Sequence, residues 1–341
     1  MTALTKMAVE TAEAPDAVAR LLRDNETLCN QLGHRLRELA PRFLVTCARG
    51  SSDHAATFAK YLFETQLGIP TASFAPSISS LYQADMKLEG SVFLVISQSG
   101  RSPDLLMSAQ AARQSGALVV ALVNDITSPL AEIADLCLPL RAGPEISVAA
   151  TKSFIASLAG LLQIAAHWSQ DKSLNSALAK LPEQLAEAAG LSWQSAVETF
   201  AKADHALVVG RGLGFGIAQE AALKLKETSQ LHAEPFSAAE LSHGPMALMR
   251  DGFPVLIFSQ NDQTRASALE IGAALRTKGA SVFIAGDDAD GDALAVVPDI
   301  HPACAPATMA QSFYGLVNQI AIARGLDPDN PVHLKKVTET V

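Results

Sequence analysis

Short apolar runs alternate with amphipathic stretches along most of this chain. Phe43-Leu-Val-Thr-Cys47 is apolar, closes on Arg49-Gly50-Ser51-Ser52, and is followed by a helix-like stretch to Glu64. Val92-Phe-Leu-Val-Ile96 delivers Ser97-Gln98. A second helix-like stretch then reaches Gly116, and Leu118 to Val123 is again apolar. The same order returns later. Ala206-Leu-Val-Val-Gly210 meets Arg211-Gly212, Val255-Leu-Ile-Phe258 meets Ser259-Gln260, and Gly279 precedes Ser281 to Ala285. The Arg-Gly pairs and the Ser-Gln pairs are each separated by 162 positions, 49 to 211 and 97 to 259. One spacing shared by two unrelated motifs predicts an internal duplication. Runs apolar on both faces, alternating with helices, predict parallel sheets covered on both sides. Each half is therefore expected to be a doubly wound, flavodoxin-like α/β sandwich, with ligands at the carboxyl ends of its strands.

The pattern also sets the expected boundaries. Residues 1–40 read as a helical arm, with Pro15-Asp16 near a helix start. A first α/β domain spans 41–180, a helical connection 181–200, a second α/β domain 201–328, and a tail 329–341. The longest apolar stretch, Phe154 to Ala166, is interrupted by Ser157 and Gln163 and is too short to span a bilayer, so it reads as a buried helix. A net charge of −9 with no basic run leaves no footprint for nucleic acid. Cys29, Cys47, Cys137 and Cys304 are scattered without a Cys-x-x-Cys pair, which argues against a zinc site or disulfide framework. A reducing, cytoplasmic setting follows. The N-terminus shows no basic region leading into an apolar one, so no signal peptide is expected.

Two segments carry candidate chemistry. Ser97-Gln98-Ser99-Gly100-Arg101-Ser102-Pro103-Asp104 ends a strand and opens a helix: Ser102 suits the N-cap, Pro103 the first helical position, and Asp104 the first turn. Gly100 would let the backbone approach a ligand. Hydroxyls and N–H groups at a helix N-terminus form an anion site, and Ser51 and Ser52 would face the same crevice. The second copy, Ser259-Gln260-Asn261-Asp262-Gln263-Thr264, gains a carboxylate that would repel phosphate. One phosphate site per chain is expected, in the first half. The glycine run from Gly210 to Gly216 lacks the Gly-x-Gly-x-x-Gly spacing, because Phe215 stands at the last position, and dinucleotide binding is not expected.

The second segment is Glu220-Ala-Ala-Leu-Lys224-Leu-Lys226-Glu227 through His232, Glu234, Glu240 and His243-Gly244-Pro245. Helical spacing puts Glu220, Lys224 and Glu227 on one face. Such a set is either a solvated helix face followed by a polar loop, or a source of acid and base groups. The spacing of His232, Glu234 and His243 matches no standard metal motif.

The Ser97-Gln98-Ser99-Gly100-x-Ser102 loop, Gly143-Pro-Glu145-Ile-Ser-Val148-Ala-Ala-Thr151-Lys152, the Glu220 to Pro245 segment, and the tail Asn330-Pro331-Val-His-Leu-Lys335-Lys336-Val-Thr338 resemble the sugar isomerase (SIS) superfamily. The similarity is strongest to the isomerase half of glucosamine-6-phosphate synthase and covers almost the whole chain. It implies two tandem SIS domains binding a hexose 6-phosphate. Ser97, Gln98, Ser99 and Ser102 would hold the phosphate, while Ser52 and the backbone near Val148 would contact the sugar. Glu227 would move the proton between C1 and C2. His243 would open the ring, reaching across a homodimer interface, and Lys224 would line the site. Lys336 matches the tail lysine that forms a Schiff base, although Lys335 stands beside it where the synthase has a small residue.

The synthase begins with a glutaminase domain, whereas here Thr2 follows Met1 and a short arm leads into the first domain. The resemblance therefore implies a glutamine-independent aminosugar-phosphate deaminase, giving fructose 6-phosphate and ammonia from glucosamine 6-phosphate, with no metal or cofactor. Alternatives are a deglycase or isomerase acting on fructosamine- or galactosamine-type 6-phosphates, or a non-catalytic phosphosugar-binding protein. No nucleic-acid or membrane partner is expected.

Overall fold

The computed structural model describes residues 4–287 and 293–336. In chain order, helices α1 (Lys6–Ala12) and α2 (Ala14–Leu39) precede β1 (Leu44–Cys47), α3 (Ser51–Leu67), β2 (Thr71–Ser73), α4 (Ser77–Ser80), β3 (Val92–Ser97) and α5 (Pro103–Gln114). Then come β4 (Leu118–Val123), α6 (Pro129–Ile133), β5 (Leu136–Pro139), α7 (Lys152–Ser169), α8 (Lys172–Ala189) and α9 (Gln194–Ala201). The second series is β6 (His205–Gly210), α10 (Phe215–Ser229), β7 (His232–Ser237), β8 (Pro254–Phe258), α11 (Arg265–Arg276), β9 (Ser281–Ala285), β10 (Ala293–Leu294) and α12 (Ala305–Ala323).

These form two compact units. The first holds residues 16–145, 152–180 and 335 onward; the second holds the N-terminal segment to Pro15, residues 146–151, and 181–334. The expected arm is thus divided, with α1 in one unit and α2 in the other. The tail expected at 329–341 is described only to Lys336, so the quoted Val337 and Thr338 lie outside the described residues, as do Met1 and Thr2.

Each unit is built on a five-stranded parallel sheet, in the orders β2-β1-β3-β4-β5 and β10-β9-β8-β6-β7. Both follow the flavodoxin-like order, which reverses direction at β1/β3 and again at β6/β8. The strands form because their side chains alternate between two apolar layers. In the first unit Val45, Phe93, Val95, Val119 and Ala121 pack on Leu105, Ala109 and Ala112 of α5. On the opposite face Leu44, Leu94 and Val120 meet Leu36 of α2, Phe63 of α3 and Trp168 of α7. In the second unit Leu207, Val209, Val255, Ile257, Val282 and Ile284 pack on Ala268, Ile271 and Leu275 of α11. The apolar stretch 154–166 lies within α7 and is buried. Among the described residues no helix is long and apolar enough to cross a membrane.

One sequence expectation is corrected here. His232 to Ser237 is a strand paired with β6, from His205↔His232 to Gly210↔Ser237, rather than a loop. Pro235 is tolerated because β7 is an edge strand, which has only one neighbour to bond.

Candidate functional site

In the first unit the loops after β1 and β3 both leave the switch point of the sheet. Ser51 and Ser52 open α3, and Ser97 ends β3. The Ser97 hydroxyl accepts the Gly100 N–H at 3.0 Å, and the Ser99 hydroxyl lies 3.4 Å from the Arg101 N–H. Gly100 has φ +64°, and a Cβ there would lie 2.2 Å from the Ser128 Oγ, so the turn requires glycine. Its carbonyl accepts the Leu130 N–H, while the Gln98 carbonyl accepts that of Asn124. Ser102 occupies the N-cap of α5 with Pro103 at N1, but its side chain makes no cap hydrogen bond. Arg49 reaches across from the end of β1 and grips the buried Asp104 carboxylate through Nε at 2.9 Å and Nη2 at 2.7 Å. Both donors converge on one oxygen, Oδ2, and the charge-assisted pair ties the loop after β1 to the start of α5. Arg49 was not among the sequence candidates, although its place in the repeated Arg-Gly pair marks it.

The tail lysine lies in the same unit. Lys336 Nζ donates to Glu145 Oε2 at 3.0 Å. The buried Glu145 carboxylate also accepts the Ser153 N–H at 3.1 Å and its hydroxyl at 2.7 Å. Lys336 thus meets a carboxylate 191 positions away, while Lys335 is exposed.

The second unit holds the charged helix. Lys224 Nζ donates to Glu227 Oε2 at 2.5 Å and lies 3.3 Å from Glu220 Oε1. The Tyr314 hydroxyl of α12 donates to the same Glu220 oxygen at 3.0 Å. The Lys224 side chain is 0% exposed and that of Glu220 1%, whereas Glu227 is 22% exposed. This is no solvated helix face: the three groups share one side of α10, as spacing predicted, and that side is buried. Burial alone would depress the Lys224 ammonium, but the Glu220 and Glu227 carboxylates outweigh it and raise its pKa. A lysine that is charged at neutral pH thus fixes the orientation of one accessible carboxylate.

His243 ends a short 3-10 turn, Glu240–His243, and is exposed beside Gly244 at φ +145°. His232 and Glu234 belong to β7, where the His232 ring packs edge-on to that of His205. Val148 lies in the 146–151 segment, with its N–H directed to the Asp329 carbonyl at 3.4 Å. Among the described residues no group of three or more His, Cys, Asp or Glu side chains could hold a metal ion. Burial pushes the Cys29, Cys47 and Cys304 thiols up to about 12, which makes them inert fillers at neutral pH.

In the second unit the loop equivalent to 97–102 is closed on itself. Gln260 Nε2 donates to the Arg211 carbonyl at 2.8 Å and to Asp262 Oδ2 at 3.0 Å. Asp262 Oδ1 accepts the N–H and hydroxyl of Thr264 at 2.8 and 2.5 Å.

Residues 41–166 and 199–324 each match the SIS domain family. A glutamine–fructose-6-phosphate aminotransferase (isomerizing) of Zymomonas mobilis is 34% identical over 314 residues, which is 86% of this chain and 51% of that protein. The chain thus spans about half the length of the curated relatives it matches. A crystal structure of a candidate phosphosugar isomerase from Silicibacter pomeroyi shares 41% identity at a TM-score of 0.92, covering 96% of this chain and all of the other. The C-terminal domain of glucosamine-fructose-6-phosphate aminotransferase from Francisella tularensis shares 26% identity at a TM-score of 0.85, covering 97% and 99%. A glucosamine-6-phosphate deaminase from Thermotoga maritima shares the fold, at 23% identity and a TM-score of 0.79 over 98% and 100%.

Proposed function

Because the chain belongs to the SIS domain family, we propose that it is a cytoplasmic phosphosugar isomerase that deaminates glucosamine 6-phosphate to fructose 6-phosphate and ammonia. The observation that carries this reading is the Glu220–Lys224–Glu227 network. A buried ammonium holds one partly exposed carboxylate at 2.5 Å, an arrangement costly for stability and suited to directed proton transfer.

In the proposed reaction the Ser97, Gln98, Ser99 and Ser102 loop holds the 6-phosphate, with Ser51 and Ser52 beside it. The phosphate is a remote anchor whose binding energy orients C1 and C2. Ser52 and the Val148 carbonyl take sugar hydroxyls. His243 transfers the ring proton and opens the pyranose. Glu227 removes the C2 proton of the open-chain aminoaldose and returns it to C1, leaving a C2 imine. The Lys336 amine adds to that imine and expels ammonia, and water then hydrolyses the lysine imine to the ketose. Glu145 Oε2, 3.0 Å from Lys336 Nζ, is the acceptor for the proton that the ammonium must lose before it can attack. The exposed position of His243 suits a residue offered to the site of a second copy in a homodimer.

Glu227→Gln keeps the shape and the lysine contact but removes the base. Ammonia release from glucosamine 6-phosphate should fall by about a thousandfold, within the range for a lost general base, while fructose 6-phosphate still binds. Turnover near that of the wild type would sink the assignment. The same assay with galactosamine 6-phosphate and N-substituted fructosamine 6-phosphates separates deaminase from deglycase. Binding without turnover of any of them would mark a sensor.

A further inference from the structure

Residues 146–151 carry the sugar-facing backbone in this reading, yet they form no regular helix or strand. Something must fix their backbone, since a buried N–H left without an acceptor is costly. The Glu10 carboxylate of α1, itself buried, accepts the Ile146 N–H through Oε1 and receives the Ser147 N–H at 3.3 Å on Oε1 and 3.2 Å on Oε2. The next N–H, that of Val148, goes to the Asp329 carbonyl. Three consecutive amides are therefore held by two acidic residues, one from near each end of the chain.

The helix that carries Glu10 is tied down independently. Asp329 turns its carboxylate the other way and accepts the Lys6 N–H at 2.7 Å and the Met7 N–H at 2.8 Å, at the start of α1. The Thr5 hydroxyl takes the Ala8 N–H at 3.1 Å and donates to Asn318 of α12 at 2.7 Å. Gln311 Nε2 of α12 donates to the Thr11 carbonyl at 2.9 Å. Seven residues of helix thus have fixed contacts on both sides of Glu10. This is far more anchoring than a solvent-facing arm needs, and its free end is a single carboxylate placed on the 146–148 backbone.

We propose that Glu10 is a positioning residue for sugar recognition. By taking the two amides before Val148 it orients the Val148 carbonyl toward the substrate hydroxyls, and the N-terminal helix acts as a clip that sets this loop. The inference rests on the reading that the loop meets the sugar. It predicts a separation that a residue merely supporting the fold would not give: the sugar is held less well while the phosphate grip is untouched.

The test compares wild type, Glu10→Ala, Glu10→Asp and Glu10→Gln by calorimetry with fructose 6-phosphate and, separately, inorganic phosphate. With glucosamine 6-phosphate, kcat and KM are measured. Glu10→Ala should weaken fructose 6-phosphate about tenfold and raise KM, as expected for a misplaced contact, with inorganic phosphate affinity unchanged. Glu10→Gln, whose amide oxygen still accepts, should restore affinity to within about threefold, since one acceptor of the charged pair remains. If Glu10→Ala does not fold, Glu10→Asp carries the test, because it keeps the charge but withdraws it by one methylene. Equal weakening toward both ligands, or no change toward either, overturns the proposal. Wild type that binds inorganic phosphate but not fructose 6-phosphate overturns the functional reading, and this inference falls with it.

Discussion

The two sheets share strand order and loop spacing, but the loops at their switch points use their donors in opposite ways. In the first, Gly100 turns with positive φ, and the Ser97 hydroxyl takes its N–H. At the corresponding place in the second, 162 positions on, stands Asp262. Its carboxylate takes the N–H and hydroxyl of Thr264 and the side-chain amide of Gln260. An anion is thus built into the chain at the N-terminal end of α11, where the first unit carries serine hydroxyls and a glycine. The first helices differ as sharply. Phe58 and Leu62 of α3 are buried apolar positions, and the residues 162 positions on are Glu220 and Lys224, equally buried. A duplicated backbone has kept its shape while a serine-rich loop lies on one copy and a buried ionic network on the other.

The largest expected effect comes from returning the second helix toward the first. Lys224→Leu removes the ammonium shared by Glu220 and Glu227, and should cost about 3–5 kcal/mol, the usual penalty for removing one partner of a buried ion pair. The double variant Glu220→Leu/Lys224→Leu should recover most of that stability and still be inactive, measured by urea unfolding beside the ammonia assay. A double variant no more stable than the single would break the comparison with Phe58 and Leu62. The sign of the pH dependence follows from the raised Lys224 pKa. Its stabilising contribution is fully present below the ordinary value of 10.5 and is lost as pH climbs through the higher folded value. Wild type should therefore lose more stability than the double variant above that pH.

The next largest effect is expected in the first loop. Gly100→Asp places a Cβ 2.2 Å from the Ser128 Oγ at φ +64° and should cost about 1–3 kcal/mol of strain. The new carboxylate would repel the substrate phosphate, so glucosamine 6-phosphate binding should fall below detection in calorimetry while the second unit keeps its fold. Retained affinity would show that the loop is not the anion site.

Much of this contrast was legible in the sequence. Apolar strands, the 162-residue repeat and the Ser-Gly turn are local patterns with a fixed period, and the one-face spacing of Glu220, Lys224 and Glu227 followed from helical geometry. What failed was either polar or distant. Lys60 and Glu64 of α3 have the same i,i+4 spacing as Glu220 and Lys224, yet both are exposed, and Glu64 accepts the Thr71 N–H. In true register they fall on Ala222 and Lys226. The β7 strand contains Glu234 and Pro235 and hides its periodicity. Arg49–Asp104, Glu145–Lys336 and Glu10–Ser147 join positions 55, 191 and 137 apart, and no spacing rule links residues that meet only through the fold.

The smallest effect belongs to the second loop, and it separates two accounts of why that loop takes no phosphate in this reading. If the Asp262 carboxylate alone excludes it, Asp262→Gly should create a second site. The packing argues otherwise. Gln260 stays anchored on the Arg211 carbonyl, and a Cβ at Gly214 would lie 2.5 Å from its Oε1, so the side chain fills the crevice that a ligand would need. Asp262→Gly should therefore lose about 1 kcal/mol, the net worth of a lost hydrogen bond, and titrate with fructose 6-phosphate at one equivalent per chain. Two equivalents would show that a single carboxylate separates the loops. One equivalent in this variant, and two after Gln260→Ala is added, would place the block on the glutamine, because only then are the donors of the loop and the space before them released together.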